Sequence, residues 1–422
     1  MGALTLTPNL ATWGIAALAT LGVILRPFSW PEAIWAVLGA VALVALGLLA
    51  PQTALEGVLK GTDVYLFLVG MMLLSEIARK EGLFDWLASH AVRAAKGSAT
   101  RLFLLIYVVG TVVTVFLSND ACAVVLTPAV FAATKAAGVK QPLPYLFICA
   151  FIANAASFVL PISNPANLVV FAEHMPPLGR WLAMFTLPSV LAIVTTYAVL
   201  RITQNASLKS ETVATDVETP RLSFGGKIAG LGIVATGAAL IAASAAGIEL
   251  GLPTFVAGVA TTLVVILINR GGLVEVSKDV SWSVLPLVAG LFVLVEALEK
   301  TGVLQMLADL LKRKAEGDPA LAAWAGGAVV AFGSNLVNNL PAGLLAGAAV
   351  QAAQVPEKVA GAILIGVDLG PNLSVTGSLA TILWLTAIRR EGQDVSAFAF
   401  LKLGLLVMPP ALILALAALL LV

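Results

Sequence analysis

Charge is scarce in this chain. Of its 422 residues only 11% are Asp, Glu, Lys or Arg, whereas 60% are apolar and the mean hydropathy is +1.01. Soluble domains carry about a quarter charged residues, so much of this surface must face something other than water. A dominant sign is also missing. The net charge is +1, which offers no basic field to nucleic acid. The two cysteines, Cys122 and Cys149, sit in apolar runs and provide neither a disulfide framework nor a CxxC metal site. Two histidines are too few for a metal centre, and no cofactor is expected. There is no HExxH, no GxSxG and no His or Cys cluster in an apolar segment, which leaves a membrane-embedded enzyme without support. No basic n-region precedes the first apolar run, so residues 10–25 read as a first membrane helix rather than a cleaved signal peptide.

What the chain has instead is long apolar runs. A spanning helix needs ~20 mostly apolar residues. Residues 8–26, 32–50, 62–80, 181–201, 227–247, 252–270, 282–299 and 397–421 meet that requirement. Between 80 and 175, and between 300 and 392, the runs are shorter and end in polar tips. The run 102–117 stops at Ser118-Asn119-Asp120 and an uncharged arm, 121–134, follows at once. The arm 320–334 leads to Asn338-Asn339, and Pro341 starts the return to about 353. At ~1.5 Å per residue such arms reach about 21–24 Å, short of a ~30 Å hydrocarbon core, which predicts re-entrant hairpins. After each hairpin comes an interrupted span. Pro161-Ile-Ser163-Asn164-Pro165-Ala-Asn167 breaks the first, and Gly370-Pro371-Asn372 with Thr376-Gly377-Ser378 breaks the second. Backbone groups freed there survive in a bilayer only when buried in protein or lining a cavity.

The halves match each other. At an offset of 220, Gly70 aligns with Gly290, Glu76 with Glu296, Lys80 with Lys300, Gly82 with Gly302, Leu87 with Leu307, Arg93 with Arg313 and Asn119 with Asn339. The register then shifts by seven and sets Ser163-Asn164-Pro165 against Thr376-Gly377-Ser378. The expected fold is therefore an all-α integral membrane protein. It has about ten transmembrane helices and two re-entrant hairpins, in two inverted-topology repeats. The N-terminal repeat covers 1–202, with its hairpin at 101–136 and broken helix at 143–173. A cytoplasmic linker occupies 203–226. The C-terminal repeat covers 227–422, with its hairpin at 320–353 and broken helix at 357–390. Placing Arg79, Lys80, Arg93, Lys96 and Arg101 in the cytoplasm also puts Arg201, Lys209, Arg221, Lys227, Arg270, Lys278, Arg389 and Arg390 there. It leaves Lys60, Arg180, Lys300, Lys312, Arg313, Lys314 and Lys358 outside, with both termini external. Segments 83–96 and 303–315 read as amphipathic helices at opposite membrane faces.

Two tips and two breaks, converging near mid-membrane, supply Ser118, Asn119, Asp120, Ser163, Asn164, Asn167, Asn338, Asn339, Asn372, Ser374, Thr376 and Ser378. Amides and hydroxyls both donate and accept hydrogen bonds, and half-helix ends add backbone dipoles, so together they can hold a small polar solute. The plainer alternative is that they cap broken helices. Asp120 stands out, because an aspartate at a helix centre costs ~2.5–3.5 kcal/mol on insertion scales and must face a cavity or take a proton. Asp120 is the first candidate for proton coupling and Asp368 the second. Glu76 and Glu296 each precede a lysine by four residues, which an i,i+4 pair near the interface explains. Glu173, His174, Glu357 and Lys358 fall in outer loops, and His90 on an amphipathic helix. Cys122 and Cys149 read as apolar packing. No Lys or Arg falls in the four clusters, which fits a neutral or cationic solute better than an anionic one.

The stretches VFLSNDACAVVLTPAV (115–130), LPISNPANLVVF (160–171), SNLVNNLPAGLL (334–345) and DLGPNLSVTGSLATILW (368–384) resemble the signature segments of ArsB-type arsenite efflux permeases, of the ion transporter superfamily. The dicarboxylate carriers of that superfamily show a Ser-Asn-Thr tip in each half. Here the tips read Ser118-Asn119-Asp120 and Asn338-Asn339-Leu340. The resemblance implies export of arsenite, and usually antimonite, across the inner membrane of a bacterial or archaeal cell. It also implies proton coupling and, in some systems, pairing with a soluble arsenite-stimulated ATPase. Arsenite at neutral pH is chiefly As(OH)₃, a small uncharged solute that hydroxyls and amides can hold. Because a neutral solute gains nothing from membrane potential, its concentrative export needs a counterflow of ions, here protons. A sodium/proton or carboxylate carrier of the same superfamily is the alternative.

Overall fold

A computed structural model of the chain describes residues 2–171, 175–215, 220–269 and 273–422. Glu173, His174 and Arg270 lie outside the described residues, as do the last residues assigned to the first broken helix and four residues of the linker. All regular structure among the described residues is helical. The first half contains α1 (Gly2–Leu25), α2 (Glu32–Ala45), α3 (Pro51–Lys60), α4 (Thr62–Lys80), α5 (Leu83–Ala95), α6 (Ala99–Phe116), α7 (Thr127–Ala136), α8 (Leu143–Ala155), α9 (Pro165–Phe171) and α10 (Leu178–Thr203). A short α11 (Asn205–Lys209) follows. The second half contains α12 (Phe224–Ala245), α13 (Gly251–Asn269), α14 (Leu273–Asp279), α15 (Val284–Lys300), α16 (Val303–Gly317), α17 (Pro319–Val337), α18 (Asn339–Ala353), α19 (Glu357–Leu369), α20 (Leu379–Arg390) and α21 (Ala397–Leu421).

Seven of these helices, among the described residues, are long and apolar enough to cross a membrane, and α3 with α4, bent by 47° at their junction, meets the same test only when taken together. Three of the apolar runs change their bounds. The run 32–50 is helical only to Ala45, because Gly47 takes a left-handed φ of +69° and Pro51 opens a new helix. The first hairpin arms are longer than their apolar runs. Ser98 accepts the Arg101 N–H and starts α6 one turn before the run, and Asp318 accepts the Leu321 N–H and starts α17. At ~1.5 Å per residue these arms reach about 27–28 Å, and α6 and α17 are both among the seven. The charge of Arg101 does not end α6, because it sits in the first turn.

Glycine sets the closest helix contacts. The helix pairs with the most extensive packing include α4 with α13, α15 with α2, α17 with α19 and α10 with α21. A Cβ on Gly70 of α4 would stand 2.3 Å from the Thr254 carbonyl oxygen of α13, and one on Gly258 would stand 2.4 Å from the Gly70 oxygen. A Cβ on Gly290 of α15, the residue matched to Gly70, would meet the Ala36 backbone of α2 at 2.7 Å. Small residues that let backbones approach this closely drive helix association where lipid offers no hydrophobic gain. Replacing Gly70 by alanine should cost about 1–3 kcal/mol, because backbone cannot yield as a side chain does. Gly14→Ala, with nothing within 4 Å, should be neutral or slightly stabilising. Thermal melts of the purified variants check this, and equal melting of the two would refute it.

The linker is fastened at its first half. Glu211 accepts the backbone N–H groups of Lys140 (2.7 Å) and Gln141 (3.1 Å), and the Ala214 N–H donates to the Ala137 carbonyl (2.9 Å). Large apolar side chains on the outer helices, such as Leu18, Val41, Leu231, Leu267 and Leu336, are exposed. They suit a lipid environment rather than water. Trp181 and Trp384 are fully buried near the broken spans.

Candidate functional site

α8 stops at Ala155 and the chain passes through a turn at Pro161–Ser163 before α9 begins. α19 stops at Leu369 and two short turns, Gly370–Leu373 and Val375–Gly377, precede α20. Pro161, Pro165, Gly370 and Pro371 cannot carry a regular ladder through these points. The freed carbonyls must find other donors.

Polar side chains supply them. The Asn167 amide donates to the carbonyls of Ser157 (2.9 Å), Leu160 (3.2 Å) and Pro161 (3.2 Å). Ser163 donates to the Val115 carbonyl (3.0 Å) and accepts the Leu160 N–H (3.2 Å), which ties the first break to α6. In the second half Asn335 does the equivalent work. Its amide donates to the carbonyls of Ala331 (2.8 Å) and Gly370 (3.0 Å), and its Oδ1 accepts the Ser374 hydroxyl (2.7 Å). Thr376 donates to the Asn335 carbonyl (3.1 Å), and Asn338 donates to the Thr376 carbonyl (3.3 Å).

The tips include genuine caps. Ser118 accepts the Ala121 N–H (3.2 Å), and Asn119 accepts the Asp120 N–H (2.9 Å). Asn338, at a positive φ of 71°, accepts the Leu340 N–H (3.4 Å). Two tip residues do no such work. The Asp120 carboxylate and the Asn339 amide make no hydrogen bond or ion pair among the described residues, although Asn339 is buried and Asp120 half-buried. The first return arm begins as a π-helix over Ala121–Leu126 before α7 takes over. π-Turns hold a surplus residue and occur frequently at functional sites. Cys122 donates to the Cys149 carbonyl (3.5 Å), and both thiols are buried.

The two broken spans join across the halves. The Asn154 amide donates to Asn372 Oδ1 (3.0 Å) and Thr381 Oγ1 (3.3 Å), and Asn154 Oδ1 accepts the Ser378 hydroxyl (3.3 Å). Asn372 donates to the Phe151 carbonyl (3.0 Å), and the Trp384 indole to the Leu146 carbonyl (2.8 Å). Asn164 donates to Asp368 Oδ1 (2.8 Å) while its own Oδ1 caps Ala166 (3.0 Å). Asp368 is fully buried, and its Oδ2 has no partner among the described residues. Ser157 stands beside that carboxylate with its hydroxyl given to the Asn154 carbonyl (2.7 Å).

The structure thus brings Asn164 to Asp368, Asn372 to Ser378 through Asn154, Asn338 to Thr376, and Thr376 to Ser374 (3.2 Å between hydroxyls). The turn after Asp120 packs on α20 of the other half, and α18 packs on α9. Asn167 joins none of the other candidates and stitches its own break. Asn154, Asn335, Ser157 and Thr381 were not singled out from sequence, although Asn154 connects more of the site than any residue that was. Glu76 and Glu296 lie elsewhere. Glu76 pairs with Arg79 at 2.6 Å and with Lys80 at 3.9 Å, while Glu296 pairs with Lys60 at 2.6 Å and with Lys300 at 3.9 Å.

A buried seam of amides and hydroxyls between interrupted membrane helices is the plan of a solute carrier. Comparisons with known proteins agree. A family model described as citrate transporter (CitMHS) matches residues 20–367. The arsenical pump membrane protein of Escherichia coli strain K12 is 28% identical over 371 residues, covering 83% of this chain and 84% of that one. A protein of the same description from Yersinia enterocolitica is 26% identical over 369 residues, with the same coverage. The crystal structure of the Alcanivorax borkumensis YdaH transporter superposes with a TM-score of 0.57 at 15% identity, over 98% of this chain and 97% of that chain, a likeness of fold. The protein is a multi-pass membrane transporter and not an enzyme. Within that class, it belongs to the citrate transporter family.

Proposed function

We propose that the chain exports arsenite, and antimonite with it, from the cytoplasm in exchange for protons. The observation that carries this reading is the donor set at the seam. The four stretches 115–130, 160–171, 334–345 and 368–384 offer amides, hydroxyls and two carboxylates, and contain no Lys, Arg or His. As(OH)₃ matches such a lining, because each of its hydroxyls can donate and accept. A citrate anion would call for cations. The relation to arsenical pump membrane proteins over most of the chain supports the same solute.

In this reading the two halves are inverted repeats with about ten spans, α6–α7 and α17–α18 are the re-entrant hairpins, and both termini are external. Reciprocal packing supports the repeat. α4 lies on α13 as α15 lies on α2, and α5 meets α7 as α16 meets α18. The left-handed turns at Gly82 and Gly302 also correspond. Ser118, Asn119, Ser163, Asn164, Asn338, Asn339, Asn372, Thr376 and Ser378 hold the solute, Asn167 shapes the break beside it, and Asp120 and Asp368 carry protons. The Asn339 amide and Asp120 carboxylate, unengaged at the tips, are the groups freest to meet solute.

The second reading, a carboxylate carrier, is favoured by the family's own description. Everted vesicles under an imposed pH gradient separate the two. As(III) should accumulate faster than citrate or sodium. Asp120→Asn should abolish gradient-driven accumulation with the folded protein retained. Citrate outpacing As(III) would hand the case to the carboxylate reading.

A further inference from the structure

We infer that α16 carries a binding site for one anionic phospholipid. The chain turns sharply at Gly302 after α15 and again at Asp318 before α17, so α16 lies between the ends of α15 and α17, the second of which is long and apolar enough to cross a membrane. At ~100° per residue its side chains fall into three stripes. Leu304, Ala308 and Ala315 are buried, with Leu311 partly so, where the helix packs on α15, α17 and α18. Gln305, Asp309, Lys312 and Glu316 form a polar, exposed flank, with the Gln305 amide donating to Asp309 at 3.2 Å. The third stripe holds Met306, Leu307, Leu310, Arg313 and Lys314. These five residues line an open groove of about 470 Å³.

That third stripe does not face protein, and it is apolar from Met306 to Leu310. Met306 and Leu310 are 61% and 54% exposed. Large apolar side chains at an interface need acyl chains against them. Arg313 and Lys314 stand one turn further along the same groove. Neither enters an ion pair among the described residues, and the Asp309 carboxylate, one turn before Arg313, is engaged by the Gln305 amide instead. Arg313 Nε donates to the Asp309 carbonyl (3.3 Å), which leaves its terminal nitrogens free among the described residues. An apolar trough ending in two cations without a carboxylate partner fits an acyl chain below and a phosphodiester headgroup with net negative charge above. The corresponding helix of the first half makes the contrast. α5 exposes no large apolar side chain among its residues and buries Leu83, Phe84, Ala88 and Val92. The site belongs to one end of the molecule and is independent of which solute is carried.

The test is native mass spectrometry of the full-length protein in micelles doped with phosphatidylglycerol or phosphatidylcholine of the same acyl chains. The wild type should retain one phosphatidylglycerol in preference to phosphatidylcholine. Two interfacial cations at about 1 kcal/mol each correspond to about thirtyfold. The Arg313→Gln/Lys314→Gln variant should lose that factor, and Lys312→Gln should not. Glycerol phosphate, a headgroup without chains, should not displace the lipid. Equal retention of both lipids by the wild type overturns the inference without any variant. So does undiminished binding by the double variant, or displacement by glycerol phosphate.

Discussion

Asp368→Asn should yield a folded protein whose As(III) accumulation under a pH gradient falls to the level of vesicles that lack it. Asn164 donates at 2.8 Å to one oxygen of Asp368, and the other oxygen is sealed without a partner. No Lys, Arg or His is paired with it among the described residues. A buried carboxylate with no counter-charge costs several kcal/mol. Asparagine keeps the shape and an acceptor for Asn164, puts an NH₂ in place of the other oxygen, and removes the titratable proton. Passive, downhill As(III) flux should therefore survive where gradient-driven flux does not. If the variant still concentrates As(III), Asp368 has no part in coupling. If both fluxes vanish with the fold intact, its role is in holding the two halves rather than in moving protons.

The second large effect belongs to Asn154. Truncation to alanine removes the donor to Asn372 and Thr381 and the acceptor from Ser378, all of them buried. Each buried polar group left without a partner costs about 1–3 kcal/mol in general, and interhelical hydrogen bonds within membranes measure about 0.6–1.7 kcal/mol. Some loss is recovered, because Ser378 and Thr381 remain bonded to each other at 2.8 Å. The expected destabilisation is about 2 kcal/mol, read as a lower melting temperature. Thr186→Ala is the control. That exposed hydroxyl bonds only the Leu182 carbonyl of its own helix, and its loss should leave melting unchanged. Identical melting of the two variants would mean that the cross-half network adds nothing to stability.

The interruptions were legible because proline, glycine and amide clusters stand out inside apolar runs. Pro161, Pro165, Gly370 and Pro371 fall where α8 and α19 fail, and Asn119 and Asn338 fall at tips. Asn154 was not legible. A lone asparagine in the run 143–161 has no local signature, and its partners are more than two hundred positions away. Asn335 was hidden differently, since the neighbouring Asn338-Asn339 pair drew the reading toward the tip. The first arm was underestimated because hydropathy ends at the charge of Arg101, whereas the helix begins at the Ser98 cap; α17 gains one residue at the Asp318 cap and three at its far end, to Val337. Glu296 shows the same limit. Its i,i+4 lysine was visible, but the closer Lys60 reaches it from α3.

The glycine contacts also dictate an order of assembly. α2 and α4 leave the ribosome early, yet the backbones they must touch belong to α15 and α13. During that interval Ala36 and Gly70 face lipid or a chaperone rather than a native neighbour. Insertion of the first half and completion of its packing are therefore separate events, divided by the synthesis of everything through Lys300. A chain truncated between α4 and Gly251 would lie in the membrane with both of these narrow helix surfaces unmatched, a ready target for membrane proteases.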